Sequence, residues 1–261
     1  MAILDQVEQG LRHYVVPILG LWDNRPIPDL RLIGTGTLIE VDGQGCILTA
    51  GHVWGTAITA DSLHFLLMPN RVRVELSVDD IEARTNWRRD HPEEWGPDLA
   101  LLEIPTEKLG AFKACKSFLD FERQRTDVSR NPPKTEKGLW AVYGVVSDFS
   151  SVTVDPENRS LDAQLVARAF FGGIVGTHSN MGYDYYDTRA DMVLPGVPGS
   201  FGGVSGGGLW EVGLTISKTG VISWKGERHF RGVAFWESSV KEQQRIVRCH
   251  GPSSIFQQSW V

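Results

Sequence analysis

Three short strings place reactive side chains where a strand end or a run of small residues would present them. Ile47-Leu48-Thr49-Ala50-Gly51-His52-Val53 ends an apolar run in small residues that let the backbone pass close to a site, and it delivers His52 to the turn. Gly96-Pro97-Asp98-Leu99-Ala100-Leu101-Leu102 sets a carboxylate at the head of an apolar strand. Burial there is costly unless Asp98 accepts hydrogen bonds, for example from a histidine N–H. In Gly203-Val204-Ser205-Gly206-Gly207-Gly208-Leu209-Trp210 the glycines allow a tight turn that exposes Oγ of Ser205 and aims two backbone N–H groups at one point, as an oxyanion requires. Taken singly, each string also has a plain structural reading: a core histidine, a turn aspartate, a flexible glycine loop.

The elements that must hold these strings are mostly strands. Leu32-Ile33, Thr37 to Val41 and Cys46 to Thr49 are short β-branched or apolar runs broken by glycine, which predicts hairpins. Similar runs follow at His64 to Met68, Val72 to Leu76, Leu99 to Ile104, Leu139 to Val146, Val152 to Val154, Leu161 to Phe170 and Val221 to Trp224. Helical spacing is scarce. Ile3, Leu4, Val7, Leu11, Tyr14 and Val15 predict a short N-terminal helix stopped by Pro17. A capping-box pattern at Ser239 and Glu242, with Gly251 as the stop, predicts one closing helix. The expected class is all-β. The charged segment Asp120 to Lys137, with Asn131-Pro132-Pro133 at its heart, divides the chain into two subdomains. The expected layout is a lead-in helix at 1–29, a first unit at 30–120 carrying His52 and Asp98, a linker at 121–137, a second unit at 138–238 carrying Ser205, and a helix and tail at 239–261.

Composition narrows the partners. The chain has 261 residues, 41% hydrophobic and 22% charged, which is ordinary for a globular protein. Its net charge of −6 and lack of a basic stripe give no attraction for nucleic acid. Apolar runs such as Phe65-Leu66-Leu67-Met68 fall far short of the roughly 20 residues that span a bilayer. Three cysteines, Cys46, Cys115 and Cys249, are too few for a disulfide framework, and Asp5 and Glu8 stand where a secretory signal has a basic flank. A cytoplasmic setting is expected, with neither a nucleic-acid nor a membrane partner.

Together and in this order, the three strings resemble the trypsin and chymotrypsin superfamily, whose members set histidine after Thr-Ala-Gly, aspartate before Leu-Ala-Leu-Leu and serine in Gly-x-Ser-Gly-Gly. The resemblance implies a chymotrypsin-like double antiparallel β-barrel with short N- and C-terminal helices. It implies a serine endopeptidase acting on protein or peptide substrates, in which Ser205 is the nucleophile, His52 the general base and Asp98 the group that orients the imidazole. The N–H groups of Gly203 and Ser205 would form the oxyanion hole. No metal or organic cofactor is implied. Gly203 to Gly207 also satisfies the nucleophile elbow of α/β-hydrolases, but those enzymes need an acid and then a histidine after the serine. The stretch beyond Ser205 holds His229 and His250 and no aspartate. A second functional reading is a catalytically silent chymotrypsin-fold module that binds peptides or partner proteins.

Departures from the family pattern shape the remaining expectations. The aspartate that pairs with a freed N-terminus in secreted trypsin-like enzymes is replaced by Val204, and no Ile-Val-Gly-Gly segment lies upstream. This is similar to bacterial intracellular trypsin-like peptidases, and control by a regulatory or activating protein partner is expected instead of zymogen cleavage. Gly199 stands where the family sets the floor of its primary specificity pocket. The opposite wall is either Gly220 to Trp224 or, preferred, Gly232 to Glu237, in which case Phe235, Trp236 and Glu237 border the substrate and Glu237 either attracts a basic side chain or fills the pocket.

Overall fold

The computed structural model describes residues 2–24, 28–67, 72–87, 95–155 and 160–257. Helix α1 (Ile3–Leu11) turns its buried Val7 and Leu11 inward and passes through one 3-10 turn into strand β1 (Val15–Trp22). The helix therefore ends earlier than its apolar spacing predicts, and Pro17 lies inside a strand. Pairing of β1 with its second neighbour begins only at Leu19, so Pro17 occupies the less hydrogen-bonded end, where a proline is tolerated.

The first sheet holds β1, β2 (Asp29–Val41), β3 (Gln44–Thr49), β4 (Ser62–Leu67), β5 (Val72–Ser77), β6 (Ala83–Trp87) and β7 (Asp98–Glu103), in the order β5-β4-β1-β2-β3-β7-β6. The short β8 (Leu119–Asp120) pairs with β2 in parallel. Helix α2 (Gly51–Ala57) follows β3, and α3 (Thr106–Cys115) follows β7. The predicted runs at 64–68 and 72–76 correspond to β4 and β5, although Met68 lies outside the described residues.

The glycines expected to break 32–41 into hairpins do not break it: β2 is one strand of 13 residues. Their reason is close approach. A Cβ on Gly36 would stand 2.2 Å from Cγ2 of Ile47, and one on Gly34 would stand 2.7 Å from Val53 and 3.0 Å from the carbonyl oxygen of Ser205.

The charged stretch at 120–137 contains helix α4 (Phe121–Arg130), capped by the Asp120 carboxylate, which accepts from the N–H of Arg123 at 2.8 Å. Beyond it the second sheet comprises β9 (Leu139–Val145), β12 (Ala167–Gly172), β13 (Ile174–Asn180), β14 (Tyr183–Asp191), β15 (Gly208–Ile216), β16 (Ile222–Glu237) and β17 (Gln244–His250), in the order β12-β9-β15-β16-β17-β14-β13. A two-stranded ribbon, β10 (Ser151–Asp155) and β11 (Ser160–Gln164), stands apart, so the run predicted at 161–170 is two strands. The class is mostly β, with two large antiparallel sheets and short helices, as expected. Neither sheet closes on itself.

The closing helix begins later than the capping pattern at Ser239 suggests. Glu242 and Gln243 adopt φ of 50° and 62°, turning the chain back on itself, and residues 244–250 form β17 instead. Pairing of β17 with both β14 and β16 outweighs a local cap signal. The C-terminal helix is the short α5 (Pro252–Phe256). Between the sheets lies a shared core in which Leu48 and Leu101 of the first meet Trp210, Phe230 and Val233 of the second, with Val7 and Leu11 of α1. Burying side chains of this size stabilises by about 1.5–3 kcal/mol each.

Candidate active site

Antiparallel pairing of β3 with β7 sets Thr49 opposite Ala100, so the end of one strand lies beside the start of the other. His52, on the first turn of α2, thereby stands over Asp98, the first residue of β7. The Asp98 carboxylate accepts two hydrogen bonds from this residue: from the backbone N–H of His52 at 2.8 Å and from ring Nδ1 at 2.6 Å. Gly51 makes the approach possible, because a Cβ there would meet Trp87 at 2.3 Å and Oδ1 of Asp98 at 3.0 Å. Asp98 is buried, whereas 41% of the His52 side chain is exposed. An ionised carboxylate can only accept, so the imidazole proton sits on Nδ1 and Nε2 is the basic nitrogen.

A third group holds Asp98 from the second sheet. The backbone N–H of Asp98 donates to Nε2 of His250 at 3.1 Å. His250 is fully buried, with its ring 4.4 Å from that of Phe235 and 5.1 Å from that of Tyr185. Burial disfavours its charged form and pushes its pKa down to about 3, against a smaller opposing pull from Asp98. His250 is thus a neutral acceptor. Nothing in its local sequence marks it for this role; only the fold brings it to Asp98.

The turn carrying Ser205 lies between β14 and β15 and is stapled to β2 through its backbone. The carbonyl of Ser205 accepts from the N–H of Thr35 at 2.8 Å, and Gly206 N–H donates to the carbonyl of Ala234 at 2.7 Å. Oγ1 of Thr35 donates to the carbonyl of Gly203 at 2.6 Å and accepts from the N–H of Val145 at 2.9 Å. Gly203 and Gly206 have φ of 84° and 89°, and a Cβ on Gly206 would stand 1.8 Å from the Thr35 carbonyl oxygen. Only glycine fits there.

A trans peptide points its N–H away from the carbonyl of the preceding residue. The Gly202 carbonyl accepts from Ser147 N–H and the Val204 carbonyl from Gly207 N–H, so the N–H groups of Gly203 and Ser205 face away from those partners. Neither donates to a described residue. A Cβ on Gly34 would meet both Val53 of the histidine helix and the Ser205 carbonyl, so the two segments come together at this glycine.

The residues expected around the substrate divide by position. Ala234 N–H donates to the Gly207 carbonyl at 2.9 Å, so the segment ending in Glu237 adjoins the serine turn. The other candidate wall lies toward the outer end of the β15–β16 hairpin, where Val221 and Ile222 are exposed and Trp224 abuts Gly10. Phe235 is buried against His250. Trp236 lies under the guanidinium of Arg248, 5.2 Å from its ring centre. Glu237 accepts from Oγ of Ser200 at 2.7 Å and from Phe201 N–H at 3.0 Å, and it is paired with Arg245. A Cβ on Gly199 would lie 3.2 Å from the Asp148 carboxylate. Thr35, His250 and Arg245 are the contributors that spacing along the chain did not reveal.

Among the described residues no cluster of histidine, cysteine and carboxylate side chains forms a metal site, and no helix is long and apolar enough to cross a membrane. Cys46 and Cys249 are free and buried, and burial raises both thiol pKa values, that of Cys46 to about 12.

No family model and no curated protein sequence matches the chain. Among solved structures, the chain is similar to the active form of the Rv3671c protease from M. tuberculosis, at 17% identity over 98% of this chain and 83% of that one, with a TM-score of 0.46. It is similar to the protease Anisep from Arthrobacter nicotinovorans at 12% identity over 90% and 89% of the two chains, TM-score 0.45. It is also similar to a serine endoprotease from Yersinia pestis at 14% identity over 95% of this chain and 62% of that one, TM-score 0.44.

Proposed function

We propose that the protein is a serine endopeptidase in which Ser205, His52 and Asp98 act as one unit. The observation that carries this reading is the two-point bond of the buried Asp98 carboxylate to the half-exposed His52, which fixes the ring and makes Nε2 its basic nitrogen. Ser205 Oγ attacks the scissile carbonyl carbon while its proton passes to Nε2 of His52. The negative oxygen is received by the N–H groups of Gly203 and Ser205, each such donor being worth about 2.7–4 kcal/mol in known cases. Collapse breaks the C–N bond, and His52 returns the proton to the leaving amine. Water then repeats the sequence on the ester, releasing the acid and restoring Ser205.

The same reading covers activation and specificity. Val204 is buried in an apolar cluster, so nothing there can pair with a freed N-terminal ammonium. The enzyme therefore needs no N-terminal cleavage and is governed by a protein partner, in a cytoplasmic setting. Glu237 is occupied by Ser200, Phe201 and Arg245, which favours a filled pocket and small, uncharged side chains before the cut.

The test is labelling by a fluorophosphonate probe together with a peptide-library digest. Ser205 is expected to carry the label, and Ser205→Ala and His52→Ala are each expected to lose cleavage by on the order of 10⁶-fold while folding normally. A protein that binds peptides but is neither labelled nor active with or without cell extract would refute the enzyme.

A further inference from the structure

On the side of the molecule roofed by α1, a cleft of about 430 Å³ opens between β1 and the segment leading into β12. Its lining joins the apolar Val15, Pro17, Val145 and Val166 to a set of polar side chains that includes Arg12 and Lys116. Lys116 is only 8% exposed, and the acceptor for its ammonium is the backbone carbonyl of Arg12 at 2.9 Å. Nε of Arg12 is buried with no partner among the described residues. Burial and the charge of Arg12 lower the Lys116 pKa to about 8, against a smaller opposing effect of neighbouring Cys115, which still leaves the ammonium mostly charged at pH 7. Arg12, Lys116 and Arg228 likewise lower the pKa of nearby His13, behind burial, as expected beside a local excess of positive charge.

The other ionisable groups facing this space do not balance that pair. Glu8 faces Arg168 at 3.5 Å and the backbone of Ala169, and Asp5 accepts from the N–H of Ala2. Tyr143 is buried and its pKa is raised, so it contributes no charge. Two neighbouring cations in a partly desolvated cleft, without a carboxylate of their own, are unfavourable until an anion joins them.

We propose that this cleft binds a small amphiphilic carboxylate, its head group between Lys116 and Arg12 and its short apolar body against Val15, Pro17 and Val166. No residue of the Ser205 turn is among those lining the cleft, and the proposal does not depend on the peptidase reading.

The experiment is calorimetric titration of the full chain with hexanoate, with uncharged hexan-1-ol as the control, repeated in Ser205→Ala so that loss of catalysis and loss of binding are read apart. Hexanoate is expected to bind saturably and hexan-1-ol not to. Lys116→Gln and Arg12→Gln are each expected to weaken binding by about tenfold or more, and wild-type affinity is expected to fall as pH rises through about 8. Should Lys116→Gln fail to fold, Arg12→Gln and the pH series still decide the matter. Absence of saturable hexanoate binding, equal binding of hexan-1-ol, or affinity unaffected by both a folded Arg12→Gln and pH would overturn the site.

Discussion

Oγ1 of Thr35, in β2, donates a 2.6 Å hydrogen bond to the carbonyl oxygen of Gly203, in the turn before β15 and 168 positions away. The same hydroxyl receives the N–H of Val145, so one buried side chain fixes the peptide that precedes the Ser205 turn. Thr35→Val keeps the shape and removes both bonds, leaving a buried carbonyl and a buried N–H unpaired at about 1–3 kcal/mol each. The expected result is a lower melting temperature and kcat/KM reduced by about 10²-fold, comparable to losing an oxyanion donor, with Thr35→Ser restoring most of it. Unchanged kinetics in Thr35→Val would show that the hydroxyl does not shape the turn.

The bond from Asp98 N–H to His250 makes a pH prediction. His250 in the fold titrates near pH 3, while in the unfolded chain it titrates near 6.5. Between those values the unfolded state binds more protons, so the stabilising contribution is intact above about pH 6.5 and is lost as pH falls toward 3. Denaturation midpoints of wild type and His250→Gln, followed from pH 7 to pH 3.5, are expected to converge or cross, because glutamine carries no such penalty. At pH 7, His250→Phe leaves the Asp98 N–H unpaired and is expected to reduce kcat with little change in KM, and glutamine, which can still accept, to retain more activity. Parallel pH curves for wild type and His250→Gln would remove the titration argument.

Specificity is predicted from the Glu237–Arg245 pair. Arg245→Met strips the carboxylate of its counter-charge while leaving Ser200 and Phe201 in place. A preference for arginine before the cut is expected to emerge in Arg245→Met and to be weak in the wild type, read as kcat/KM for peptides bearing alanine, leucine or arginine there. A wild-type enzyme already favouring arginine would show that Arg245 does not neutralise Glu237, and an Arg245→Met variant that still ignores arginine would separate Glu237 from substrate selection.

Much of this arrangement was legible because its signals are local. The string ending in His52 predicts a strand delivering a histidine, and the structure provides β3 followed by α2. The apolar run after Asp98 is β7, whose first residue is that aspartate. What could not be read depends on distant contacts. Gly34 and Gly36 resemble turn residues in sequence, but their missing side chains make room for Val53, Ser205 and Ile47. Ser239 and Glu242 present a cap signal that loses to pairing on both edges of β17. His250 is one histidine among seven, and only packing against Phe235 and Tyr185 gives it a task.

The place of His250 along the chain has a consequence for the order in which the protein is made. A nascent chain extended only through Ser205 already contains the serine, the histidine and the aspartate, yet the strand that fastens the Asp98 backbone has not been synthesised. Such a chain also lacks Ala234, which holds Gly206. On the proposed peptidase reading, assembly of the centre waits until β16 and β17 have left the ribosome, and a truncated translation product carrying all three side chains is expected to be inert toward the proteins around it.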